Sequence, residues 1–210
     1  MTFPVAVTSE SSQFENLRLA LVGASSLLGV EVKDQLAASG VPRDAVTLFD
    51  LKEVAGVLTE YGDEARVFAE TVSENLLTHS LICFCSDAKT ATESLDAILA
   101  SGKVGIDCTQ AWSDDPRAFA WIPGVSAPPA RNDQRAIVIP SAACLMLGTT
   151  LAALGKLGEQ VSVTIFLPAS DLGEAGLQEL SQQSIAVLNL EEVDTAIFGR
   201  QLAFDLWPTA

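Results

Sequence analysis

The chain has 210 residues, 49% of them hydrophobic and 19% charged, with a mean hydropathy of +0.32; this is ample material for a core and argues against extensive disorder. A net charge of −15 disfavours nucleic acid and anionic membrane as partners, because phosphate recognition needs clustered Lys and Arg. No apolar run reaches the roughly 18 residues that span a bilayer. The opening MTFPVAVTSESSQFEN has no basic segment followed by an apolar one, so a cytoplasmic protein is expected.

After this polar leader, Leu17 to Ala24 forms a short apolar run ending at a glycine turn, the profile of a buried parallel strand. Leu28, Val32 and Leu36 then recur at helical spacing until Gly40 stops them. Residues 45–51 (AVTLFDL) read as a second strand and 79–86 (HSLICFCS) as a third. Residues 90–102 read as a helix closed by Gly102, and 104–109 (VGIDCT) as a fourth strand. This alternation implies a parallel sheet with right-handed crossovers. Residues 123–135 (PGVSAPPARNDQR) read as a linker or surface crossing, and 136–140 (AIVIP) as a further strand. Residues 144–158 are apolar almost all round and predict a buried helix. Residues 161–170 (VSVTIFLPAS) alternate as a strand, and 173–190 form a long amphipathic helix. The division expected is a dinucleotide-binding domain over 1–140 and the start of a second domain over 141–210. About 70 residues is marginal for an independent core.

The stretch Gly23 to Gly29 (GASSLLG) stands between the first strand and the first helix, where a nucleotide-binding turn belongs. Such a turn needs tight backbone, close approach to a pyrophosphate and a helix N-terminus aimed at its charge. Gly23 and Gly29 supply two of the usual three glycines. Ser26 takes the middle position, where its β-carbon narrows the room and its hydroxyl offers a donor; Ser25 lies beside it. Asp50 ends the second strand. There it either accepts bonds from the ribose hydroxyls of NAD, repelling the extra phosphate of NADP together with Glu53, or simply closes the strand.

Of four cysteines, Cys83 and Cys85 lie two apart on one strand face and read as small buried hydrophobes. With Cys108, Cys144 and a single His79 they make no zinc site of usual type, so no metal is expected.

Five segments, LVGASSLLG, IDCTQAWSDDP with WIPGVS, IVIPSAACLML, SDLGEAGLQELSQQS and FGRQLAFDLWP, occur in an order and spacing that resemble the aspartate-semialdehyde dehydrogenase family, most closely its Usg branch. The resemblance implies a Rossmann-type doubly wound parallel sheet (α/β) followed by an incomplete α+β dimerisation and catalytic domain. It also implies a nicotinamide cofactor (NAD or NADP, with NAD favoured by Asp50), a homodimer or protein partner through the second domain, and Cys144 as the nucleophile. In the family a thiolate attacks the aldehyde, the thiohemiacetal gives up hydride and phosphate releases the acyl group. A helix N-terminus at Cys144 would favour the thiolate.

The matched positions depart from the family around that cysteine. Ala143 stands for an asparagine, Ser113 for a substrate- or phosphate-binding arginine and Leu167 for an orienting glutamine. The family's Ser-Gly-Ala-Gly turn here reads Ser170, Asp171, Leu172, Gly173. Its general-base histidine and second arginine fall beyond the position matched by Ala210, and His79 does not replace that base. The resemblance with these losses implies a catalytically degenerate relative that keeps the fold and NAD-type binding. The alternative is an active oxidoreductase working through Cys144 on an aldehyde or acyl phosphate lacking the matching anionic group. Apolar residues 161–167 and 204–207 suit subunit pairing.

Overall fold

The computed structural model describes residues 14, 16–86, 88–129, 134–155 and 160–208. Most of the leader, residues 130–133 of the expected linker and 156–158 of the expected helix lie outside them. The chain divides into two compact units, Met1–Ala153 and Leu154–Ala210.

In the first unit β1 (Leu19–Val22) leads through the glycine turn into α1 (Leu27–Ala38), and β2 (Val46–Asp50) follows. A hairpin of β3 (Leu58–Tyr61) and β4 (Glu64–Val67), the short β5 (Ala69–Glu70) and one turn of helix, α2 (Ser73–Leu76), lead to β6 (Leu81–Phe84). Then come α3 (Ala88–Ser101), β7 (Val104–Asp107), β8 (Ala118–Ala120), β9 (Ala136–Val138) and α4 (Ala142–Leu154). Seven strands form one sheet in the order β5-β2-β1-β6-β7-β9-β8, and every neighbouring pair is parallel. The doubly wound α/β architecture is therefore present.

All four residues of β1 are buried because both faces of the sheet are covered. The period of two sorts them. Ala20, Val22, Ile82 and Phe84 face a core shared with Ala91, Leu95 and Ile98 of α3. Leu19, Leu21, Val46, Leu48, Cys83 and Cys85 face the other core, against Val32 and Leu36 of α1.

Helix α1 is rotated from the expected apolar stripe: Leu28 is exposed, and Gly29 and Lys33 are buried. The cause is the turn. A β-carbon on Gly29 would stand 2.1 Å from the Gly23 carbonyl oxygen, so this glycine must face inward and its neighbour Leu28 outward. Lys33 reaches from that inner face to donate to Thr59 Oγ1 of β3 at 3.1 Å.

Two expectations fail. α4 is a helix, yet none of its residues is buried. A helix apolar all round is buried only where other elements cover it, and on α4 that cover is partial: Ile122 Cδ1 lies 3.0 Å from where a β-carbon on Gly148 would stand. Residues 161–168 are not a strand. They have the alternation but no neighbouring strand among the described residues, and a strand exists only through its ladder.

The second unit is built on α5 (Gly173–Asn189), preceded by a 3-10 turn at Ala169–Leu172. Its buried positions are Gly176, Glu179 and Gln183, a polar face, while Leu177, Ile185 and Leu188 are exposed. The Glu179 carboxylate accepts from the backbone N–H groups of Ile197 and Phe198. Gln183 donates to the Asp194 and Arg200 carbonyls at 2.8 and 3.1 Å and accepts from the Leu202 and Ala203 amides at 2.7 and 3.1 Å. Two helical side chains thus satisfy the backbone of an irregular segment that has no ladder of its own. No helix among the described residues is long and apolar enough to cross a membrane.

Candidate functional site

In a doubly wound sheet ligands bind beyond the carboxyl ends of the strands. At that edge the β1 turn is held by a closed set of bonds. Gly23 sits at φ +76°, which an L side chain rarely adopts, and a β-carbon on it would collide with Ser86 Oγ at 1.9 Å. Ser26 is the N-cap of α1. Its hydroxyl donates to the Gly23 carbonyl at 2.7 Å and accepts from the Gly29 amide at 3.0 Å. The hydroxyl is therefore spent inside the turn. The Leu27 and Leu28 amides follow as the first N–H groups of the helix, where its dipole favours an anion. Ser25 is exposed at the tip.

Asp50, 4% exposed, ends β2 beside this turn. Its Oδ2 accepts from the Ser25 amide at 2.7 Å and its Oδ1 from the Leu51 amide at 2.9 Å. The carboxylate clasps the turn to the second strand, and Gly23, Ser25, Ser26, Gly29 and Asp50 form one constellation.

Asp107 plays the matching part at the end of β7. Fully buried, it accepts from the Thr109 amide and hydroxyl at 2.7 and 2.6 Å and from the Trp112 amide at 2.9 Å. This folds residues 107–113 back so that Trp112 enters the core, donates from Nε1 to the Ala91 carbonyl at 2.8 Å and meets Phe84 edge-on. Its ring occupies the space over Gly105, where a β-carbon would stand 2.5 Å from Cη2. Ser113, at the end of this turn, is exposed.

Cys144 lies in the first turn of α4, after β9, exposed, with its amide 3.4 Å from Ser141 Oγ; Ala143 precedes it. In the sheet order β6 and β7 separate β9 from β1, so the glycine constellation and Cys144 occupy the same edge with two strands between them. Leu167 is exposed in the second unit. His79 precedes β6 at the opposite, amino edge; its Nε2 pairs with Thr47 Oγ1 at 2.9 Å and its ring meets Phe49 edge-on.

Three thiols also meet at the carboxyl edge. The Sγ atoms of Cys83, Cys85 and Cys108 all lie within 4.8 Å of one another. Hydrogen bonds from Cys83 and then Cys85 hold the Cys108 thiol down to about 4, and the bond with Cys108 pushes Cys85 up to about 12. Burial and the same hydrogen bonds, that with Cys108 foremost, raise Cys83 as well. Of the three thiols, Cys108 is the one whose neighbours favour the thiolate. The spacing of Cys83 and Cys85 was visible in the sequence; their meeting with Cys108 needed the β6–β7 register, which pairs Phe84 with Asp107. Asp107 and the Glu179–Gln183 pair carried no signal in the sequence as organisers of backbone.

Comparison with known proteins finds likeness to aspartate-semialdehyde dehydrogenases. The chain is similar to the aspartate-semialdehyde dehydrogenase of Synechocystis, 23% identical over 194 residues, covering 91% of this chain and 57% of the relative. It is also similar to a USG-1 protein homolog of Pseudomonas aeruginosa, 24% identical over 202 residues and covering 90% and 57%. Among solved structures, a probable aspartate-semialdehyde dehydrogenase from Pseudomonas aeruginosa superposes with a TM-score of 0.72 at 21% identity, over 91% of this chain and 58% of that one. Aspartate semialdehyde dehydrogenase II from Vibrio cholerae gives a TM-score of 0.75 at 18% identity over the same shares. The chain spans little more than half the length of these relatives. No family model matches it.

Proposed function

We propose that this chain is a semialdehyde-dehydrogenase-like protein of the cytoplasm that keeps a nicotinamide-nucleotide site and has lost the family's catalytic chemistry. The observation that carries the reading is the glycine turn. A β-carbon at Gly23 or Gly29 would destroy it, Ser26 and Asp50 lock it, and the Leu27 and Leu28 amides head a helix toward the position of a pyrophosphate. These residues would hold the dinucleotide, which when bound supplies a hydride acceptor. The buried negative charge of Asp50 disfavours a 2′-phosphate and so favours NAD over NADP.

Loss of chemistry rests on the residues that stand at the positions matched to the family's site. Ala143 offers no amide side chain, and Ser113 has one neutral hydroxyl where a guanidinium would grip a phosphate bidentately. Charge clamps aimed at the reacting group stabilise the transition state, and these two positions supply none. The test is turnover of aspartate semialdehyde with phosphate and either nicotinamide cofactor. No rate above a Cys144→Ala control is expected; robust Cys144-dependent turnover would establish the active-oxidoreductase reading instead, which the exposure of Cys144 at a helix start favours.

The exposed apolar residues Val161, Val163, Ile165 and Phe166, with Phe204, Leu206 and Trp207, support pairing of copies, or capture of a protein partner, through the second unit. Light scattering should show a dimer, and a monomer at high concentration would contradict pairing of copies.

A further inference from the structure

We propose that Cys83, Cys85 and Cys108 form a three-thiolate site for one monovalent copper ion. Cys83 and Cys85 project from the same face of β6 and its continuation, and the parallel register sets Cys108, just after β7, beside Cys85. The Cys108 amide continues that ladder, donating to the Phe84 carbonyl at 2.9 Å. Three strand positions thus deliver three sulfurs to one point, held by the backbone.

The distances suit a soft ion. Thiolates bind closed-shell cations at about 2.3 Å, which in a trigonal plane places the sulfurs about 4 Å apart. Cys83 and Cys85 already stand at 3.9 Å, and the whole trio lies within 4.8 Å, so closure needs side-chain shifts of under an ångström. The donor set is sulfur alone, with no carboxylate or imidazole in the group, and soft ligands select copper(I) over hard cations. Zinc prefers four ligands, and this group offers three. Cys83 and Cys85 are buried, whereas Cys108 is half-buried at the carboxyl edge and gives an ion its path in. The site lies next to the glycine turn, where Ser26 Oγ approaches the Cys85 carbonyl at 3.4 Å, but uses none of its donors and stands independently of nucleotide binding.

The experiment is anaerobic titration of the fully reduced chain with copper(I) in competition with bicinchoninate, followed by X-ray absorption of the loaded protein. One ion per chain and three sulfur scatterers are expected. Loss of one outer-sphere partner typically weakens a metal site about 10–100-fold; Cys108→Ser removes a ligand and should weaken retention at least that much, while Cys144→Ser should leave it unchanged. Failure to hold one equivalent, equal retention by Cys108→Ser, or fewer than three sulfurs around copper would each overturn the proposal. The sulfur count on the unaltered chain keeps the test intact if a serine variant does not fold.

Discussion

In the first unit, β1 lies between β2 and β6, and its residues from Leu19 to Val22 pair on both sides. In the second, residues 161–168 carry the same kind of alternation but run as exposed irregular chain, and the order that exists comes from Glu179 and Gln183 gripping backbone between residues 194 and 203. The contrast shows that strand character belongs to a pair of segments and not to one. A parallel sheet closed by its own neighbours is self-sufficient, whereas a helix with a polar gripping face leaves its apolar residues outside. Apolar density alone makes no core in either unit: α4 is apolar almost all round, yet none of its residues is buried.

The largest effect should come from emptying the first unit's core. Trp112→Ala removes a ring that spans Gly105, Phe84 and the Ala91 carbonyl, and should cost about 3–5 kcal/mol in urea unfolding. A loss under about 1 kcal/mol would mean that this core is loosely packed and the contrast false. Glu179→Gln comes next. The carboxylate accepts from the Ile197 and Phe198 amides on separate oxygens, whereas glutamine has a single acceptor oxygen, so one bond becomes neutral, the other is lost against an N–H donor, and the cost should be about 1.5–3 kcal/mol. Hydrogen exchange should rise across residues 194–203 and stay unchanged in β1, β2 and β6; spread of the effect into those strands would show that the two units unfold together. The smallest effect is expected of Cys144→Ala. An exposed side chain there should shift stability by no more than about 0.5 kcal/mol, and a thermal melt showing a much larger loss would place that thiol in a packed interface.

Much of the first unit was legible because its signals are local. Apolar runs ending at Gly23, Gly40 and Gly102 mark strand and helix ends directly, and all three glycines take positive φ. The hairpin of β3 and β4 was not: its residues are mostly exposed, so no burial pattern marks them. Leu28 misled because its spacing fits the stripe of Val32 and Leu36, while the need for a bare α-carbon at Gly29 sets the helix rotation. The site divides the same way. Gly23, Ser26, Gly29 and Asp50 could be named because turn, cap and strand end are contiguous features. The thiol trio depends on the register of two strands more than twenty residues apart, and the inward turn of the Ser26 hydroxyl on a rotamer, neither of which a linear pattern encodes.

The central claim is that the glycine turn still receives a dinucleotide. Calorimetric titration of the purified chain with NAD, NADH, NADP and NADPH tests it directly. Saturable binding of NAD or NADH, with clear preference over the 2′-phosphorylated forms, is the predicted result. Absence of binding by all four would contradict it and leave the turn as scaffold alone.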